Sequence, residues 1–382
     1  MDVEVKSSAL FGMAPDELRT VVEGLGLPKY RAAQIADALY KQRVTDLAQM
    51  TTLPGAAKEE LAAAGLSVGI PEIVQAATSV DGTERYLIRM ADGETVETVW
   101  MPNGDGGERG DGSEAAAEEE DGYKRATICV SSQVGCAVNC QFCLTAKLGV
   151  KRNLTAGEIA GQVAAVLNRH KVRLGSGKGV ETPSRINLVF MGMGEPFLNY
   201  DAFMKAVHLL RGMGIPESRM TVSTSGIEPS IRRFAQEPVR PKLALSLNAP
   251  NDAVRREIMP ITKKWDIAAL LNALKTIPFG KREYVTFEYV LLGGVNDRPE
   301  DAREVLALLR GMKAKVNLIV WNPGPGIEYR QPKAEDVAVF HRTLVDGGIP
   351  TFTRRPRGRD IYAACGQLKR TVDGSPQLVN LG

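Results

Sequence analysis

Histidine is scarce in this sequence, with three residues (His170, His208 and His341) in 382. That leaves little room for a histidine-rich metal centre or a histidine-based catalytic triad. Cysteine is also sparse, at five residues, well short of a disulphide-stapled scaffold. No apolar run reaches the ~18 residues of a membrane span, and Met1–Lys6 lacks the basic-then-apolar layout of a secretory signal. The expectation is a cytoplasmic protein with no membrane association. In that compartment the cysteines stay reduced unless they bind metal or perform chemistry.

Hydrophobic residues make up 44% of the chain, enough for a sizeable core, and its length predicts two or three domains. The net charge of +3 averages two unlike regions. Between Asp105 and Asp121 eight acids face one base, Arg109, so this stretch carries −7 and the rest of the chain +10. A basic body with a detachable acidic loop suits a polyanionic partner.

Residues 1–70 read as a small helical accessory domain. Tyr30–Tyr40 has helical apolar spacing, and Glu59–Ala64 ends at Gly65. Residues 71–122 read as a β extension: Arg85–Met90 and Thr95–Trp100 alternate like strands around the turn Ala91–Glu94. Within it, 103–122 is nearly all Gly, Asp, Glu, Ser and Ala, and is expected to be a disordered insertion at a hairpin tip. From 123 to 350 the pattern is strand, loop, helix, repeated. Six candidate strands (Ala126–Ser131, Ile186–Met191, Arg219–Thr224, Lys242–Leu247, Tyr284–Leu291, Val316–Trp321) alternate with helical stretches. The fold class predicted is α/β, a partial (βα)6 barrel with a parallel sheet and ligands at the carboxyl ends of its strands. Residues 351–382 form a C-terminal segment.

The unusual residues sit at those strand ends. Cys136, Cys140 and Cys143 form C-x3-C-x2-C directly after the first strand. Three thiolates on one short loop can hold three corners of a [4Fe-4S] cluster. A structural zinc site needs a fourth ligand, and the nearest cysteine, Cys129, lies seven residues back in a strand. The alternative is a zinc RNA-binding module borrowing Cys129 or Cys365. With three protein ligands, a fourth iron is left open to chelate the amino and carboxylate groups of S-adenosylmethionine. The cluster can then pass one electron to the sulphonium. Further strand ends suit that ligand. Gly194 and Glu195 follow the second strand, where Glu195 can accept the ammonium group. Ser223 ends the third, Ser246, Leu247 and Asn248 the fourth, and Asn322 the sixth.

This arrangement resembles the radical-SAM superfamily. Cys129–Cys143, Glu97–Pro102, Gly192–Pro196, Ser223–Gly226, Trp321–Pro323 and Ala364–Leu368 together resemble the RlmN-type RNA methyltransferases, which methylate C2 of adenosine. The likeness spans the chain apart from the acidic insertion. Asn248 is a departure, standing where the family usually has His.

The resemblance implies a route that uses all five thiols. C2 of adenine is electron-poor and will not attack a sulphonium methyl, so it must be approached by a radical. Two S-adenosylmethionines are used per turnover: one methylates Cys365, the second yields the radical that activates the S-methyl group. The methylene radical adds to C2 and joins RNA to Cys365. Glu97 matches the proton acceptor, and Cys129 resolves the adduct through a transient disulphide with Cys365. The implied partners are 23S rRNA at the peptidyl-transferase centre, tRNA at the adenosine 3′ of the anticodon, and a flavodoxin-type electron donor, with the protein a monomer. Arg354–Arg359, Lys147, Lys151, Arg152, Lys29–Arg31 and Lys41–Arg43 are candidate RNA contacts. A Cfr-type C8 methyltransferase shares the cluster and both auxiliary cysteines, and a radical activase acting on protein is a further alternative.

Overall fold

The computed structural model describes residues 8–102, 125–174, 185–281, 283–354, 356–368 and 379–380. Three short helices come first: α1 (Pro15–Gly24), α2 (Arg31–Ala36) and α3 (Gly55–Ala63). Pro15 opens α1, where a backbone N–H has no helical partner to lose, and Asp16 and Glu17 complement the positive end of the helix dipole. Leu18, Val22, Ile35, Leu39 and Leu61 form an apolar layer continuous with the main core.

The main sheet runs in chain order. Strands β1 (Glu72–Thr78), β2 (Glu84–Arg89) and β3 (Thr95–Pro102) form an antiparallel meander. Next come β4 (Arg125–Cys129), β5 (Arg185–Phe190), β6 (Met220–Thr224), β7 (Lys242–Ser246), β8 (Val285–Leu291), β9 (Ala314–Val320) and β10 (Thr351–Arg354). From β4 onward every neighbouring pair is parallel. Val379–Asn380 pairs with β1 at the far edge. The sheet is open, with β10 at its other edge.

Helices α4 (Ala156–Arg169), α5 (Tyr200–Gly212), α6 (Glu228–Phe234), α7 (Asp252–Ile258), α8 (Ile267–Leu274), α9 (Pro299–Leu309) and α10 (Ala334–Asp346) lie between the parallel strands. Helix α4 shows why such a segment starts where it does. Thr155 Oγ1 accepts from Glu158 N–H and the Glu158 carboxylate accepts from Thr155 N–H, a closed capping box. Its inner face then buries Ile159, Val163 and Leu167 completely. The N-terminal helices dock on this element. Arg43 donates to Asn168 Oδ1 (3.1 Å) and to the Val172 carbonyl (2.6 Å).

All six strands read from the sequence are present, each to within two residues at either end. Two features differ from expectation. The β extension is a three-stranded meander rather than a hairpin, and a seventh parallel strand, β10, closes the sheet edge. The acidic stretch 103–122 lies outside the described residues. Its flanks are antiparallel partners, with Pro102 opposite Ala126. Among the described residues no helix is long and apolar enough to cross a membrane.

Candidate active site

The carboxyl ends of the parallel strands meet around a cavity of about 160 Å3. It is lined by Cys136, Cys140 and Cys143 from the loop after β4 and by Gly194 and Glu195 after β5. Ser223, Ser246, Asn248 and Asn322 come from later strand ends, and Cys365 from beyond β10. Ten of the thirteen sequence-predicted site residues therefore share one space. The other three, Leu247, Glu97 and Cys129, are buried away from its lining.

The cysteine loop is fixed from both sides. A small antiparallel hairpin, Gln133–Gly135 with Val150–Asn153, brackets it. Gly135 has φ +84°, and a Cβ there would lie 1.8 Å from the Gly149 carbonyl, so only glycine fits. Burial pushes the Cys136 thiol up to about 12 and the Cys140 thiol well above its usual range, and the neighbouring thiols reinforce both shifts. Three mutually interacting thiols in an apolar pocket fit a cationic group that draws off their protons. Among the described residues no three His, Cys, Asp or Glu side chains converge on a point that one ion could occupy.

Gly194 and Glu195 are held tightly. Gly194 has φ +98°, and a Cβ there would meet Gln133 at 2.6 Å. Glu195 Oε2 accepts from Ser225 N–H and Ser225 Oγ, both at 2.7 Å, and Oε1 accepts from Phe197 N–H. Burial raises its pKa, opposed by these bonds. Asn248 adopts left-handed backbone (φ 57°), which Asn tolerates better than most residues. Its Oδ1 accepts from Val290 N–H (2.9 Å) and its Nδ2 donates to Met259 Sδ. The amide thus clamps the ends of β7 and β8 while forming part of the wall. Leu247 contributes backbone: its N–H donates to the Glu288 carbonyl and its side chain packs in the core.

Sequence reasoning missed Arg255 of α7, which is fully buried. Its guanidinium donates to the carbonyls of Ser225, Ser246 and Leu247 and to Thr262 Oγ1, tying together the ends of β6 and β7. On an amphipathic helix it reads as an ordinary solvated cation. It also missed Glu288, a buried acid within the apolar run of β8 that lines the cavity.

Cys365 is exposed to the cavity, and its loop lies on the cysteine loop: Leu144 N–H donates to the Gly366 carbonyl (2.8 Å). Cys129 is buried at the end of β4, close enough to Cys365 for that thiol to disfavour charge on it. Burial is the main cause that pushes Cys129 up to about 12; the Arg354 guanidinium opposes it. All five cysteines are free thiols, so the implied Cys129–Cys365 disulphide is not formed in this state. Glu97 sits on β3 in a buried ion pair with Arg85 (3.1 Å).

Several expected RNA contacts are engaged within the protein. Lys151 pairs with Glu94, Arg152 with Asp92 and Glu158, and Arg354 with Glu288. Arg43 is used in docking, as described above. Lys147, Lys29 and Arg359 are exposed, and Tyr30 is 55% exposed with the Arg31 guanidinium 4.7 Å from its ring centroid.

Comparison with known proteins accords with this geometry. Residues 130–309 match the model of the radical SAM superfamily, and residues 8–65 match that of the ribosomal RNA large subunit methyltransferase N-terminal domain. A Koribacter versatilis protein, named a probable dual-specificity RNA methyltransferase RlmN, is 59% identical over 92% of this chain and 98% of its own. The dual-specificity RNA methyltransferase RlmN of Lawsonia intracellularis is 41% identical over 94% of this chain and 95% of its own. A crystal structure of a radical SAM methyltransferase from Sphaerobacter thermophilus superposes with a TM-score of 0.82 at 39% identity, over 95% of this chain and 99% of that one. The chain therefore belongs to the RlmN family of radical-SAM RNA methyltransferases, a family that implies a [4Fe-4S] cluster and S-adenosylmethionine.

Proposed function

We propose that this enzyme methylates C2 of adenosine in 23S rRNA, at the peptidyl-transferase centre, and in tRNA, at the adenosine 3′ of the anticodon. The observation that carries this reading is that the three loop cysteines and Cys365 open into one cavity. Cys136, Cys140 and Cys143 would hold the [4Fe-4S] cluster, which supplies the electron that cleaves S-adenosylmethionine to a carbon radical. Glu195, Ser223, Ser246 and Asn322 orient that molecule, and Leu247 and Asn248 support them by fixing the strand ends.

Cys365 first takes a methyl group from one S-adenosylmethionine as a sulphur nucleophile. A second S-adenosylmethionine, when bound, would supply the radical that takes a hydrogen from this S-methyl group. The methylene then adds to C2, binding RNA to Cys365. The adduct would lose one electron, and Glu97 accepts the C2 proton. The Cys129 thiolate then attacks the Cys365 sulphur, and the S–CH2 bond breaks with its electron pair going to carbon. That carbon takes up a proton to become the methyl group. The Cys129–Cys365 disulphide left behind is reduced by two electrons from an external donor. A flavodoxin-type protein delivers the electrons, and the enzyme acts as a monomer. The relatives' name, dual-specificity RNA methyltransferase, supports two RNA substrates.

The test is anaerobic turnover on naked large-subunit rRNA and tRNA, followed by digestion and NMR of the modified nucleoside. The expected product is 2-methyladenosine; 8-methyladenosine would assign the C8 chemistry instead.

A further inference from the structure

Glu288 lines the cavity and Asn317 lies behind it, and together they form a pair of buried acceptors without donors. Glu288 projects from β8 and is 4% exposed; Asn317, its register partner on β9, is 1% exposed. Glu288 Oε1 accepts from Asn317 Nδ2 (3.0 Å) and from Arg354 Nη2 on β10 (3.2 Å). Glu288 Oε2 and Asn317 Oδ1 are buried with no hydrogen-bond partner among the described residues. The amide orientation is not arbitrary. Its NH2 end must face the carboxylate oxygen, which turns Oδ1 away from it. Buried polar atoms are normally satisfied, so this pair marks where a ligand presenting N–H or O–H donors belongs.

We infer that Glu288 and Asn317 read the exocyclic amine of the target adenine. The inference rests on the reaction proposed above. An amine carries two N–H donors, matching two acceptors on adjacent strands. A keto group at the same position, as in inosine or guanosine, would set a lone pair against a carboxylate, so the site selects adenine. The ribose hydroxyls of S-adenosylmethionine offer the same donor chemistry. Placement favours the base. Glu288 shares the cavity with Cys365, and the Arg354 guanidinium that holds it contacts Met191 Sδ (3.8 Å) and favours charge on the Cys129 thiol. Glu288 therefore stands in the same space as Cys365, with Arg354 between it and Cys129.

The experiment pairs an enzyme variant with a substrate lacking the atom. The reconstituted full-length enzyme and its Glu288→Gln variant are assayed on synthetic tRNA carrying adenosine, purine riboside (no amine) or inosine at the target position. For wild type, kcat/KM should fall roughly 10- to 100-fold on purine riboside and further on inosine, the range for loss of hydrogen bonds to a buried charged acceptor. Glu288→Gln should lower turnover of adenosine by a similar factor and abolish most of the preference over purine riboside. If the variant loses the same factor on both RNAs, the acceptors serve S-adenosylmethionine and the inference falls. It falls also if wild type uses purine riboside as well as adenosine, which needs no variant to fold. Failure of wild type to methylate C2 of adenosine at all would overturn the proposed reaction, and the base reading with it. Equal use of the analogues would overturn the base reading alone.

Discussion

Leu144 and Gly366 are joined by a backbone hydrogen bond of 2.8 Å, so the loop bearing Cys136, Cys140 and Cys143 carries the Cys365 loop on its back. A second link lies one residue on. The buried Thr145 Oγ1 donates to the Leu368 carbonyl at 2.7 Å. Thr145→Val keeps the shape and removes the donor, which should loosen the Cys365 loop at about 1–3 kcal/mol for the unsatisfied carbonyl. The expected result is slower methylation of Cys365, measured by mass of its tryptic peptide, with cluster absorbance intact. Normal methylation in this variant would mean the two loops are held together by other contacts.

The buried Arg85–Glu97 pair separates structure from chemistry at the proposed proton acceptor. Both side chains are 2% exposed. Glu97→Gln removes the charge opposite Arg85 and should destabilise the fold by about 3 kcal/mol, as breaking one side of a buried pair does. Adding Arg85→Met should restore much of the melting temperature. Turnover should stay low in the double variant if Glu97 takes the C2 proton. Recovery of turnover together with stability would reduce Glu97 to a partner for Arg85.

His170 makes folding sensitive to acid. Its ring stacks on Trp100 at 4.0 Å, its Nε2 lies 2.7 Å from Tyr86 Oη, and burial holds its pKa below the ordinary 6.5. The unfolded chain therefore binds the proton more tightly than the folded one. The contribution of His170 to stability is complete above pH 6.5 and declines as pH falls from there to the lowered folded value. Urea melts between pH 7.5 and 5.5 should show a shallower decline for His170→Gln than for wild type. Identical slopes would place the acid sensitivity elsewhere.

These residues show what the sequence made legible. The six parallel strands were readable because buried parallel strands are short apolar runs bounded by turn residues. The cysteines announced themselves by spacing. Strand β1 was hidden by a bulge between Ile73 and Gln75, which breaks its alternation. Strand β10 has only four residues, and α10 buries only Phe340 and Leu344, a stripe too thin to stand out. Arg255 carried no local signal, because its role depends on carbonyls thirty and nine residues before it in the chain. Glu288 did carry one. An acid inside the run Val285–Leu291 has to find a partner or a ligand once buried.

The central claim is that Cys365 carries the methyl group as a covalent bridge to RNA and that Cys129 breaks that bridge. Cys129→Ala tests it most directly: the reconstituted variant is incubated anaerobically with S-adenosylmethionine and RNA, then digested and analysed by mass spectrometry. Protein–RNA adduct should accumulate, joined through a methylene between Cys365 sulphur and adenine C2. Free methylated RNA at the wild-type yield, with no adduct on Cys365, would contradict it.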